Sequence, residues 1–253
     1  MPPAIDWDVY FLPAVRALLN GTVAPEPISN PPWVLAPLIP FAVLPYEVGR
    51  VLLFIAALVA FLLVARRFGA GRVGMLALLL SPFVLNSIAW GNVEWLAILG
   101  LVMPPPIGLL FLALKPQLTF VLMAYVVYAT WRLGRVRSVV LLLLPLVLLT
   151  VVSTVLSGDW VTNLVGYSSR TVASNTSMFP IGVPFGLVLA YQAFRSNDLR
   201  SALLATVFLV PTTLSQTAWA VVPLAICAST GLSATATVAT WASLWVNRTL
   251  WFF

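Results

Sequence analysis

The sequence predicts an all-α fold, a polytopic bundle of transmembrane helices, and three observations carry that reading. First, 61% of the 253 residues are hydrophobic and only 8% are charged, with a mean hydropathy of +1.04, whereas a soluble domain carries about 25% charged residues. Second, the apolar residues fall in Leu/Val/Ala runs near the roughly 20 residues that a helix needs to cross a hydrocarbon core, without the alternation of a barrel strand. Third, arginines cluster in short segments between those runs, the pattern that orients helices in a membrane.

The same composition excludes several function classes. The net charge of +6 comes from loop arginines and is no nucleic-acid signal. The absence of histidine removes imidazole acid–base chemistry and histidine-ligated metals. Cys227 is the only cysteine, so no intramolecular disulfide forms. The start, MPPAIDWD, lacks a basic n-region and an apolar h-region, and no signal peptide is expected. The chain reads as one membrane domain, 1–253, with an external segment over 1–31 and the bundle over 32–253.

Taken in order, residues 9–20 read as an amphipathic helix lying on the membrane surface. Phe11, Val15, Leu18 and Leu19 share a face, Pro13 suits the first turn, and Gly21 suits the position after the last. A proline-rich stretch then leads to PPWVLAPLIPFAVLP (31–45), too short for a plain crossing and kinked at Pro37 and Pro40. Spans follow at 47–65, at 73–89 with an interruption at Ser81-Pro82, at 116–131, 138–157, 180–194 and 201–213, and finally at 217–228 and 231–247. Between them, WLAILGLVMPPPIGLLFLALKPQ (95–117) is two half-length apolar pieces around Pro104–Pro106. It is either a re-entrant hairpin, which requires burial of its broken backbone in protein or against a wet cavity, or one kinked helix.

Placing the clusters Arg66/Arg67/Arg72, Arg132/Arg135/Arg137 and Arg195/Arg200 in the cytoplasm leaves the acidic opening segment, the Glu94 turn, the Lys115 turn and loop 158–178 outside. Trp7, Trp33, Trp90 and Trp95 then read as interfacial belt residues. The candidate site residues gather on the same external side: Asp6, Asp8, Tyr10, Asn92, Glu94, Lys115, Gln117 and Arg170. Lys115 is the only lysine beside twelve arginines. It ends the apolar run LLFLALK, where an ammonium is costly unless it snorkels or meets an anion such as a lipid phosphate. A carboxylate above such a cation suits transfer from a phosphate-linked donor: the carboxylate takes the acceptor proton and the cation stabilises the departing phosphate. Arg170, the one cation of loop 158–178, belongs either to a solvated loop or to a lid over that phosphate.

The ordered set DWDVY…PAVRALLNG, NPPWVLAPLIPFAVLP, SPFVLNSIAWGNVEW and LALKPQ resembles the membrane-embedded GT-C glycosyltransferases, and more narrowly glycosyltransferase family 87, the polyprenyl-phosphate-mannose-dependent type. The likeness covers residues 6–117. It implies a many-helix fold with its active site on the external face and a lipid-linked sugar donor without a nucleotide. By the same resemblance the catalytic aspartate is Asp6 or Asp8, the amide of the Gly-Asn turn is Asn92 with Glu94 close by, and the basic Lys-Pro position is Lys115. No organic cofactor is implied, and a divalent metal is left open. Such enzymes have a helix before the acidic loop, whereas Met1 is five residues before Asp6. That difference leaves three expectations: a truncated start, a partner membrane protein that supplies the helix, or a reduced relative.

The leading expectation is therefore a plasma-membrane glycosyltransferase of bacterial type, with a lipid-linked sugar and the surrounding lipids as its partners and no nucleic acid. The alternative is a non-catalytic membrane subunit or scaffold. A transporter fits less well, because the spans hold almost no charge at their centres and show no paired broken helices in matching halves.

Overall fold

The computed structural model describes residues 4–24, 26, 28, 30–158, 160, 177–211 and 219–246, and among them every regular element is helical. A π-helical turn (Asp6–Phe11) runs directly into α1 (Leu12–Asn20). A 3₁₀ stretch (Pro32–Leu38) and α2 (Ile39–Ala42) lead to α3 (Tyr46–Arg67). Then come α4 (Arg72–Leu79), α5 (Pro82–Ala89), α6 (Glu94–Leu99), α7 (Pro105–Leu112) and the long α8 (Pro116–Ser157). The chain closes with α9 (Val183–Ser196), α10 (Leu199–Leu209), α11 (Val221–Ile226) and α12 (Thr230–Val246).

Two helices, α3 and α8, are long and apolar enough to cross a membrane, and the bent pair α4–α5 adds a third if it counts as one span. These helices and the composition make the chain a membrane protein. The pair bends by 56° at Ser81-Pro82, where Pro82 cannot continue the hydrogen-bond ladder of α4 and starts a new helix instead. The expected break in the second arginine cluster is present: α8 is two helices joined at a kink, where Arg135 leaves helical geometry at φ 55° and ψ −152°. Beyond it, Val140, Leu141, Leu148, Val151 and Val152 are about half exposed. An apolar helix surface of this kind faces acyl chains at no cost.

The piece 95–117 folds as a hairpin, not as one kinked helix. Its arms are α6 and α7, and they pack backbone to backbone at two glycines. A Cβ on Gly100 would lie 2.4 Å from the Gly108 carbonyl oxygen, and a Cβ on Gly108 would lie 2.4 Å from that of Gly100. The close approach brings the start of α6 and the end of the α7 turn to the same place, so Glu94 and Lys115 meet. α6 packs on α3, α7 on α8, and α9 and α10 close against each other and α8.

The opening helix keeps its expected boundaries: Pro13 sits in the first turn of α1, and Gly21 ends it at φ 65°. The buried face is different in part. Phe11 and Val15 are buried together with Trp7, Leu12, Ala14 and Ala17, but Leu18 is 55% exposed and Leu19 49%. The wider π-helical turn rotates the packed stripe relative to an all-α register. Trp7 and Trp95 are not belt residues either. Both are buried in the core: Trp7 lies against the Gly91 turn, and Trp95 packs edge-on against Phe41 of α2. Trp33 and Trp90 are half-buried.

Candidate functional site

The site forms at the Tyr46 end of α3, and the turn after α5 is its centre. Gly91 adopts φ 67°, and its N–H and that of Asn92 donate to the carbonyls of Ile88 and Ser87 at 3.0 and 3.3 Å, closing α5 in a Schellman-like end. The position demands glycine twice. An L side chain is strained at that φ, and a Cβ would lie 2.7 Å from Cβ of Trp7. The opening segment is thereby seated on this turn, and the Asp6 N–H donates to the Trp90 carbonyl at 2.9 Å.

The turn delivers Asn92 and Glu94 to Lys115. Glu94, in the first turn of α6, has no solvent exposure, and Lys115 is 9% exposed. The Lys115 ammonium donates to Asn92 Oδ1 at 2.7 Å and to Glu94 Oε1, with which it forms a buried ion pair. Ser87 donates its hydroxyl to Glu94 Oε2 at 2.7 Å. The Lys115 turn is itself braced. Asn30 donates to the Leu114 carbonyl at 2.9 Å, and the Thr119 hydroxyl lies within reach of the carbonyls of Leu112 and Lys115 at 2.6 and 3.1 Å. Pro116, next to Lys115, opens α8, so the positive end of that helix adds to the field on Glu94.

Asp6 lies within electrostatic reach of this cluster. Loss of water raises its carboxyl from the ordinary 3.8 to about 6; the Lys115 charge pulls it down and the Glu94 charge pushes it up. Both charges are close enough to act on it. Asp8 looks elsewhere: Tyr46 donates its hydroxyl to Asp8 Oδ1 at 2.9 Å, and Arg50 donates to the Tyr46 oxygen at 3.3 Å. Two residues apart in a helical turn, the two aspartates point to different sides.

The chain thus brings together Asp6, Asn92, Glu94 and Lys115 from the expected set. Tyr10 and Gln117 are part-exposed, on the π-helical turn and the first turn of α8. Arg170 lies outside the described residues, as does most of loop 158–178. Sequence reasoning missed Ser87, Tyr46 and Arg50. Ser87 gives no signal beyond being polar in an apolar run. Tyr46 and Arg50 share an i, i+4 spacing, and Arg50 is a lone cation one turn inside an apolar span, opposite to the arginine bias. Among the described residues no three His, Cys, Asp or Glu side chains group as metal ligands.

Beside the cluster lies a cavity of about 170 Å³. α3 contributes Arg50, Leu53, Phe54 and Ala57 to its wall, α5 contributes Ile88 and Ala89, and Asn92 and Trp95 close it. Arg50 and Asn92 are its polar members, and Phe54 at its rim is 40% exposed. Asn92 belongs to both places, so the cavity and the charged cluster are neighbours. No family model, no curated protein and no solved structure matches the chain.

Proposed function

We propose that the chain is a membrane glycosyltransferase of GT-C type that moves a sugar from a polyprenyl-phosphate donor on the external face of the plasma membrane. The observation that carries the reading is the placing of Asp6, partly desolvated on the Gly91 turn, within electrostatic reach of the Lys115–Glu94 pair. A general base works best with a pKa near the working pH, and a partly desolvated carboxyl at about 6 is ionised at neutral pH yet still basic. In the reaction, the Asp6 carboxylate takes the proton of an acceptor hydroxyl. The hydroxyl oxygen forms a bond to the anomeric carbon, and the bond from that carbon to the phosphate oxygen breaks, leaving the electron pair on polyprenyl phosphate. Lys115 and Glu94 hold the floor of the site and set the charge seen by Asp6. The arginine bias puts the Tyr46 end of α3 outside, which is where a lipid-linked donor without a nucleotide would be used.

Purified protein incubated with a polyprenyl-phosphate-linked sugar and a hydroxyl acceptor should release polyprenyl phosphate. Asp6→Asn should abolish release while the protein still folds and binds lipid; Asp8→Asn should retain it. Full transfer by Asp6→Asn would end the assignment of the base.

A further inference from the structure

About 25 Å of helix beyond Lys115, α8 carries a second charged feature, and it is of one sign. The stretch WRLGRVR (131–137) holds Arg132, Arg135 and Arg137 around the kink, and Arg195 lies in the last turn of the neighbouring α9. All four arginines are exposed. Beneath them the two helices are tied together. The Tyr128 ring packs edge-on against Phe194 at 5.1 Å and lies under the Arg132 guanidinium at 6.0 Å. About one turn earlier, Tyr125 donates its hydroxyl to Asn197 Oδ1, in the turn that follows α9. Arg195 gives one donor to the Tyr191 hydroxyl at 3.1 Å. The acidic residue next to it in the chain, Asp198, is taken up by α10, where it accepts from the Arg200 N–H and Nε and from the Ser201 hydroxyl. Among the described residues no carboxylate pairs with Arg132, Arg135, Arg137 or Arg195.

Four guanidiniums without a carboxylate among them select an anion, and each presents a planar fork that fits phosphate oxygens. The residues between them decide what carries that anion. Trp131 is 52% exposed, Leu133 91% and Val136 68%, and Val140 and Leu141 continue the apolar surface along the second half of α8. A soluble anion leaves those side chains in water. An amphiphile answers both halves of the surface, with its head on the arginines and its tails along Leu133, Val136 and Val140. Arg135 adds to this. Glycine holds φ 55° and ψ −152° with less strain than any L side chain, yet the kink carries a guanidinium.

We infer that the kink of α8 and the end of α9 form a binding site for an anionic phospholipid of the surrounding leaflet, with its phosphate on Arg132 and Arg195 and with Arg135 and Arg137 adding to the attraction. This site stands apart from the transferase reading, and each holds or fails without the other.

The test is lipid binding, measured by native mass spectrometry and by thermal shift on the full chain in non-ionic detergent. The probes are phosphatidylglycerol, phosphatidylcholine with the same acyl chains, and inorganic phosphate. Wild type should prefer phosphatidylglycerol to phosphatidylcholine by about tenfold or more and bind inorganic phosphate poorly, since each arginine beside an anionic headgroup contributes about fivefold. Arg132→Gln and Arg195→Gln should each weaken phosphatidylglycerol by about fivefold and leave phosphatidylcholine unchanged. Arg132→Lys should retain most of the preference. Arg135→Gly removes a charge and relaxes the kink, so it should melt at or above wild type without lipid and still lose affinity for phosphatidylglycerol, a combination that a merely structural arginine does not give. Equal binding of the two lipids by wild type overturns the assignment. So does a double variant, Arg132→Gln with Arg195→Gln, that keeps the preference. If Arg66→Gln with Arg67→Gln costs as much as that double variant, the preference is a general property of the arginine clusters and the site is overturned. Displacement of the lipid by inorganic phosphate at comparable concentration gives the arginines to a soluble anion and also overturns it.

Discussion

Replacing Lys115 by methionine probes the buried pair most directly. Methionine retains the apolar stem that packs in the turn, so the change is close to a removal of charge. Glu94 has no exposure, and without the ammonium its Oε1 loses its ionic partner while Oε2 keeps the neutral Ser87 bond. Breaking a buried ion pair by removing one partner costs about 3–5 kcal/mol. At ~2–4 °C per kcal/mol for a chain of this size, the melting temperature should fall by roughly 6–20 °C. The double change Lys115→Met with Glu94→Gln removes both charges and keeps a partner for Ser87. It should cost about 1 kcal/mol or less, because neutral isosteres of similar volume replace a buried pair with little loss. Melting of the four proteins in detergent at neutral pH closes the cycle, with an expected coupling of at least about 2–4 kcal/mol, larger by the cost of Glu94→Gln alone. If Lys115→Met melts with wild type, or if the double variant is no better than the single, the two groups are not a desolvated ion pair and the site has been described wrongly.

The remaining predictions follow from the same geometry. The carboxyl of Asp6 titrates at about 6 against an ordinary 3.8, so the folded chain keeps a proton that the unfolded chain releases, and stability falls as pH rises through that window. Asp6→Asn should therefore melt above wild type at neutral pH and lose that slope when melting is followed from acid to neutral pH. Transfer by wild type should rise as pH passes about 6 and be absent in Asp6→Asn. In Lys115→Met the activity midpoint, if transfer survives, should move upward, because the charge that lowers Asp6 is gone; a downward shift would contradict the proximity of the two. Gly91→Ala should cost about 1–3 kcal/mol from the strained φ alone, with a further loss from the Trp7 clash, both visible as a lower melting temperature. In a Cys227→Ser background, an impermeant thiol reagent added to intact cells should label Val23→Cys and spare Val73→Cys and Val136→Cys; the reverse pattern inverts the topology.

Much of the helical layout was legible in the sequence because it rests on short-range causes. Length and apolarity mark α3. The proline rule marks the Ser81-Pro82 bend. Pro13 and Gly21 mark the two ends of α1, since each acts on its own backbone and nothing else. The gathering of polar residues around Asn92, Glu94 and Lys115 was legible too, through charge bias: few acidic groups, one lysine, and arginines elsewhere. The choice between Asp6 and Asp8 was not legible. It depends on whether residues 6–8 are extended or helical, and the packing of Trp7 against Gly91 decides that. Leu18 follows the helical period but is left exposed, because no neighbouring element packs over it and the period alone does not say which turns are covered. The role of Lys115 was hidden for the same reason. In the sequence it is a lone cation awaiting an anion. The hairpin that closes at Gly100 and Gly108 folds Glu94 back onto it, and an ammonium in an apolar surrounding takes the nearest carboxylate. A one-dimensional pattern records which charges a chain owns and which face of a helix they share. Which of them cancel depends on distances of a few ångströms between segments far apart in the chain, and only the closed fold sets those.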